Sequence, residues 1–152
     1  MTEAIEAKRT IAASRDQLWA YLSDPGHLAL LNPDSDGATD VAPQGTLRQG
    51  QRWREVMHTP VGHQDVQTVV TSLDDPGGCI QLESTGPAGI RVKAEIRLRP
   101  EGTTSTLVTF TNRFALTSGG LFAALAESFL RSRMREASQI ALDRLEAAVR
   151  QN

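Results

Sequence analysis

A chain of 152 residues, 39% of them apolar, has the length at which a soluble domain buries about 68–70% of its unfolded surface, so a sizeable core is within reach. Sixteen basic against 18 acidic residues leave a formal charge of −2, which gives no pull toward phosphate backbones or anionic lipid, and no nucleic-acid partner is expected. No run approaches the roughly 18 apolar residues of a membrane span, Glu3, Glu6, Lys8, Arg9 and Arg15 break any leader-like core, and the lone Cys79 forms no internal disulfide; one domain over 1–152, no membrane insertion and a cytoplasmic setting are expected.

Residues 3–11 set Ile5, Ala7 and Ile11 on one parity and Glu6, Lys8 and Thr10 on the other, the pattern of a strand with one wet face. Ser14-Arg15-Asp16-Gln17 has capping-box spacing, and Leu18, Trp19 and Leu22 follow at helical intervals, which starts a helix near residue 15. Asp24 and Pro25 supply an N-cap and a first-turn proline for a second, short helix carrying Leu28, Leu30 and Leu31. Asn32-Pro33 ends it, because a residue before proline is pushed out of the helical region. From about 37 to 117, turn signals recur at 43–45, 59–62, 75–78, 86–89 and 101–102, which predicts six antiparallel strands. In 90–99 the alternation is strict: Ile90, Val92, Ala94, Ile96 and Leu98 against Arg91, Lys93, Glu95, Arg97 and Arg99, one face on a core or cavity and one in water. Residues 103–117 repeat it with Val108, Phe110, Phe114 and Leu116 inside and Asn112 as the polar member among them. Thr117-Ser118-Gly119-Gly120 reads as a hinge and helix cap. Beyond it the period is helical to about 150, with Phe122, Leu125, Phe129, Ala137, Ile140, Ala141, Leu145 and Ala148 as the apolar stripe. Such a helix spans roughly 45 Å at 1.5 Å per residue, and its first third, Leu121 to Leu130, is apolar almost all round and calls for cover on more than one side.

This order of elements resembles the START-like helix-grip superfamily (SRPBCC-type), and within it the polyketide cyclase/dehydrase group. The resemblance spans essentially the whole chain and rests on Ile11-Ala12-Ala13-Ser14 running into Gln17-Leu18-Trp19, on Leu22-Ser23-Asp24-Pro25, on Gly50-Gln51-Arg52-Trp53-Arg54-Glu55 and on Ser118-Gly119-Gly120-Leu121. It implies an α+β helix-grip fold: a curved seven-stranded antiparallel sheet around a long C-terminal helix, two short helices after the first strand, and an apolar cavity that holds a hydrophobic small molecule. Physical chemistry points the same way. One helix about 10 Å wide cannot cover such a sheet, and two Trp, one Tyr and four Phe are few plugs for the remainder, so a cavity of roughly 300–1,000 Å³ is expected.

Trp53, Glu55 and Met57 share one parity, Arg52, Arg54, Val56 and His58 the other, and the alternation alone leaves open which faces inward. If Trp53 does, so does Glu55, a carboxylate costly to bury unless paired or protonated and suited there to general acid or base work. The alternatives are a bulge or sheet edge that returns Glu55 to water, or neutralisation by an arginine of the last helix such as Arg133. Asn112 would orient a ligand carbonyl or hydroxyl, or bond a neighbouring backbone group. The expected lining is Trp53, Met57, Ile80, Leu82, Val92, Ala94, Ile96, Phe110, Asn112, Phe114, Phe122 and Phe129. His58, His63 and Asp65 amount to half a metal site, but their place at a hairpin tip argues for solvent, so neither metal nor cofactor is expected. His27 reads as a surface or lid residue, Cys79 as a buried, inert thiol, the row Arg91, Lys93, Arg97 and Arg99 as a solvated face, and Arg131 and Arg135 as helix-surface partners of Glu127. Three roles follow: a cyclase or dehydratase with Glu55 as acid/base, Asn112 as orienting group and Trp53 as wall; a non-catalytic carrier; or a protein-interaction module. A homodimer stays open as an assembly.

Overall fold

The structure, a computed structural model, describes residues 3–60, 62–116 and 121–150, and the side chains of 88 and 121–123 lie outside that description. Strand β1 (Ile5–Ile11) buries Ile5, Ala7 and Ile11 and exposes Glu6 and Lys8, as its alternation predicts. Ser14 then accepts the Gln17 backbone N–H at 3.1 Å and starts α1 (Arg15–Leu22). Gln17 does not complete the expected capping box, because its side-chain amide instead donates to the Val149 carbonyl at 3.1 Å and ties α1 to the end of the terminal helix. Asp24 caps α2 (Pro25–Leu31), which stops at Asn32 before Pro33.

Six strands follow: β2 (Thr39–Ala42), β3 (Arg52–Thr59), β4 (Gly62–Asp74), β5 (Cys79–Thr85), β6 (Arg91–Pro100) and β7 (Thr106–Ala115). With β1 they form one open sheet, entirely antiparallel, in the order β1-β7-β6-β5-β4-β3-β2. A register irregularity between Val70 and Ser72 interrupts β4, the kind of feature that bends a strand. At the β4–β5 turn, Gly78 has φ +65°, and a Cβ there would lie 2.5 Å from the Leu98 carbonyl oxygen, so only glycine fits.

Directly opposed residues of an antiparallel pair share a face, so the register writes out the inner surface in transverse rows. Ile5, Asn112, Ala94, Leu82 and Val70 form one row from β1 to β4; Phe114, Val92, Ser84, Thr68 and Trp53 form the next, from β7 to β3. Helix α3 (Leu121–Arg150) covers this face unevenly. Ala141, Leu142, Leu145 and Val149 pack into one core with Ile11, Leu18, Leu22, Ile80, Ile96, Val108 and Phe110. In the first half of α3 no described side chain is buried before Ser138.

The apolar stripe expected on α3 is therefore corrected. At 100° per residue, Leu125 and Phe129 sit about 160° around the helix from Leu145, and they are 64% and 55% exposed. The cover expected on more than one side of the first third is not supplied by the described residues. Sheet-side positions there carry Arg131, whose guanidinium lies 5.8 Å from the Phe114 ring centroid and reaches the Glu3 carbonyl as well as Glu127. The hinge expected at 117–120 and the side chain of Phe122 lie outside the described residues.

Candidate functional site

Burial along β6 marks where the sheet stands open. Leu98 and Ile96 are buried in the core shared with α1 and the second half of α3, while Ala94, Val92 and Ile90 on the same face are only partly covered. Met57, Leu82 and Asn112 are likewise half-buried. Solvent thus reaches part of the inner face around Met57, Leu82, Val92, Ala94 and Asn112. Ile80, Ile96 and Phe110 belong to the packed core, and Phe114 is fully buried beside Arg131. Phe129 points away from the sheet side of α3.

The parity of β3 is settled: Trp53 and Glu55 are buried, and Arg52, Arg54 and His58 face out. Glu55 is 8% exposed. Three groups donate to it: Ser35 Oγ to Oε1 at 2.8 Å, Trp53 Nε1 to Oε2 at 3.0 Å and Thr68 Oγ1 to Oε2 at 2.9 Å. Trp53 reaches it because side chains two apart on a strand lie on one face, Thr68 because it is the cross-strand partner of Trp53. Thr68 commits its proton to Glu55, so the Ser84 hydroxyl, 2.8 Å away, donates to Thr68 and extends the polar line to β5.

Ser35 comes from the segment after α2. Its backbone bridges to Met57, the Asp36 N–H donates to the Val56 carbonyl at 3.0 Å, and the His58 N–H donates to the Asp34 carbonyl at 2.8 Å. Asp34 is in turn gripped by Arg133 of α3 through both carboxylate oxygens, and that pairing holds the guanidinium well above its usual range. Arg133, expected as a possible neutraliser of Glu55, is thus engaged one residue away from Ser35. Among the described residues no ion pair involves Glu55.

Asn112 faces inward and donates to Ser138 Oγ of α3 at 3.3 Å, a side-chain partner where a backbone one was the alternative. His58 and His63 do meet across the hairpin, with ring centroids 4.3 Å apart, but His58 pairs with Asp36 and Asp65 with Arg54; no group of three metal-ligating side chains occurs among the described residues. His27 stacks on Tyr21 at 4.0 Å. Burial pushes the Cys79 thiol up, in keeping with an unreactive sulfur. The outer row is solvated and internally paired, Arg91 with Glu83 and Arg97 with Glu95.

Two surface hollows lie elsewhere. One of about 760 Å³ separates the α1–α2 turn from β2 and the following loop; another of about 680 Å³ lies at the β3–β4 hairpin and reaches Val66, the cross-strand partner of Glu55. Neither is lined by Glu55, and their linings are largely polar or loop residues, so the buried carboxylate is the stronger indicator of chemistry.

Sequence reasoning missed Ser35, Thr68, Ser84 and Asp34. Thr68 and Ser84 sit at inward positions of alternating strands, a weak signal, since only the register aligns them with Trp53. Ser35 and Asp34 lie in a connecting segment whose path no periodicity encodes.

The sequence profile of the polyketide cyclase / dehydrase and lipid transport family matches residues 2–150. No curated protein gives a significant match. Among solved structures, the Zhui aromatase/cyclase of Streptomyces sp. R1128 superposes with TM-score 0.81 at 19% identity, over 97% of this chain and 93% of that one. A START superfamily protein of Mycobacterium smegmatis gives 0.73 at 17% identity, and a protein of Thermus thermophilus gives 0.73 at 21%, each over 97% of both chains. At these identities the likeness establishes the helix-grip architecture.

Proposed function

Since the chain belongs to the polyketide cyclase / dehydrase and lipid transport family, we propose that it holds a hydrophobic small molecule, polyketide-like, aromatic or lipid-like, against the open end of the inner sheet face, with Glu55 as its polar contact. The observation that carries this reading is a carboxylate buried among neutral donors with no cation paired to it among the described residues, on the face that α3 leaves partly uncovered. Folding alone gives little reason to keep such a group, because burying an uncompensated charge is destabilising.

In the catalytic version, a ligand lies along the row from Trp53 to Phe114, and Glu55 takes a proton from an acidic C–H or returns one to a leaving hydroxyl, as cyclisation and dehydration require. Trp53 is the wall, Asn112 an orienting amide, and confinement of a flexible chain supplies proximity. A carrier needs the same room without turnover. The likeness to an aromatase/cyclase supports the first version; that protein's reaction is its own. The buried, unpaired Cys79 supports a cytoplasmic setting, and the mutual pairing of the outer charges supports a chain without a nucleic-acid partner.

Native mass spectrometry of protein purified from its own host tests the reading, and the same spectrum reads the oligomeric state. A lipophilic mass that leaves on denaturation is the expected result. Protein that is always empty and takes up no hydrophobic probe would favour the interaction-module role instead.

A further inference from the structure

Resting on the reading that a ligand lies against Glu55, we propose that the site selects ligands ending in an uncharged or cationic hydrogen-bond donor, a hydroxyl or an amine, and rejects carboxylates of the same shape. A carboxylate offers about four acceptor positions. Oε2 uses two, for Trp53 and Thr68, and Oε1 uses one, for Ser35. The position left over on Oε1 takes a donor and nothing else. All three protein groups already donate to Glu55, so none of them has a proton to offer a second anion.

Charge points the same way. The cations that sequence or proximity suggests are committed elsewhere: Arg133 to Asp34 and Glu136, His58 to Asp36, Arg54 to Asp40 and Asp65. A carboxylate brought to hydrogen-bond distance of Glu55 therefore meets a like charge at a buried position, where water screens the repulsion little. Arg131 is the cation at the far end of the row, beyond Phe114 and engaged by Glu127 and the Glu3 carbonyl. Thr68, Ser84, Val92 and Phe114 stand on successive strands, so the polar and apolar ends of the row are about 14 Å apart at about 4.8 Å per strand. A fused aromatic with one donor group matches that polarity.

The test uses three probes of one shape at pH 7: 2-naphthol, 2-naphthoate and 2-methylnaphthalene. The protein has two tryptophans, so a Trp19→Phe background leaves Trp53, whose indole N–H touches Glu55, as the sole tryptophan. Naphthol is expected to bind about tenfold tighter than naphthoate, with methylnaphthalene between them, and Glu55→Gln to shrink that ratio below about threefold, mainly by improving naphthoate. Naphthoate binding as tightly as naphthol in the unmodified site, or a ratio that survives Glu55→Gln, overturns the proposal. If methylnaphthalene binds but naphthol and naphthoate do not differ, the donor rule alone fails. If none of the three binds, by quenching or by calorimetry, the ligand-holding reading fails with it. Should Glu55→Gln not fold, the ratio in the unmodified site still decides.

Discussion

A carboxylate that meets only neutral donors in a nearly dry position costs stability that an amide of the same shape does not. Glutamine at position 55 can turn its oxygen to Trp53 and Thr68 and its NH2 to the Ser35 hydroxyl, which rotates to accept. Glu55→Gln should therefore leave the urea midpoint unchanged or raise it. Glu55→Ala strands all three donors and opens a void, and should cost on the order of 2–3 kcal/mol. If both variants lose stability equally, the carboxylate is a structural group and its functional reading weakens. Charges on the outer face behave in the opposite way. The Arg91 hydrogen bond holds Glu83 below the usual carboxylate range; burial pushes Glu95 up, but hydrogen bonds from Arg97 and Gln81 outweigh it and leave it lowered too. Carboxyls lowered on folding stabilise at pH above their unfolded value near 4.5 and lose that contribution as pH falls through their folded values. Stability measured by denaturant titration should thus fall from about pH 5 downward, and less steeply in an Arg91→Gln, Arg97→Gln double variant. That Arg91 and Arg97 face outward was legible from alternation alone; their carboxylate partners were not. The donors around Glu55 were not, since Thr68 and Ser84 gain their meaning only from which residue stands opposite.

Helix α3 shows how far periodicity reaches at the scale of an element. Its existence and length follow from the pattern after residue 120, whereas the buried side does not, because Leu125 and Phe129 are apolar at helical spacing and yet turn about 160° from Leu145. An apolar residue on a helix states a preference for burial; the sheet decides which side is offered. The energetic contrast is testable by urea unfolding. Leu145→Ala removes a fully buried side chain from the core shared with Leu18, Leu22 and Val108, and should cost about 2–5 kcal/mol. Phe129→Ser should stay within about 0.5 kcal/mol of the parent. A cost for Phe129→Ser approaching that of Leu145→Ala would mean that this side chain is covered in solution, and the assignment of the open face would have to be redrawn.

For the molecule as a whole, the sheet is sealed at one end and part-open at the other. The order of elements, which the sequence carries in its caps and turns, dictates that gradient. A single helix serves a seven-stranded sheet, its second half is packed with α1, α2 and β1, and beyond Asn112, which it reaches through Ser138, Val92 and Ala94 stay only partly covered. Alternation foretold the inner face of β6 in full, but it cannot encode depth, because Ile96 and Val92 have the same parity and differ only in what lies above them. Amide hydrogen exchange reads that difference directly. In the free protein, amides of Val92 to Ala94 and of the first half of α3 should exchange well before those of Val108 and Leu142 to Val149. A bound hydrophobic probe at about a hundred times its Kd adds about 2.7 kcal/mol to global stability, so it should slow about a hundredfold the late amides, which exchange through complete unfolding, and equally those early amides whose opening breaks the site, while openings remote from the ligand are not slowed. If the amides of Val92 to Ala94 keep their exchange rates while Val108 and Leu142 to Val149 slow, the ligand sits elsewhere. The hollow beside the α1–α2 turn would then be the next place to look.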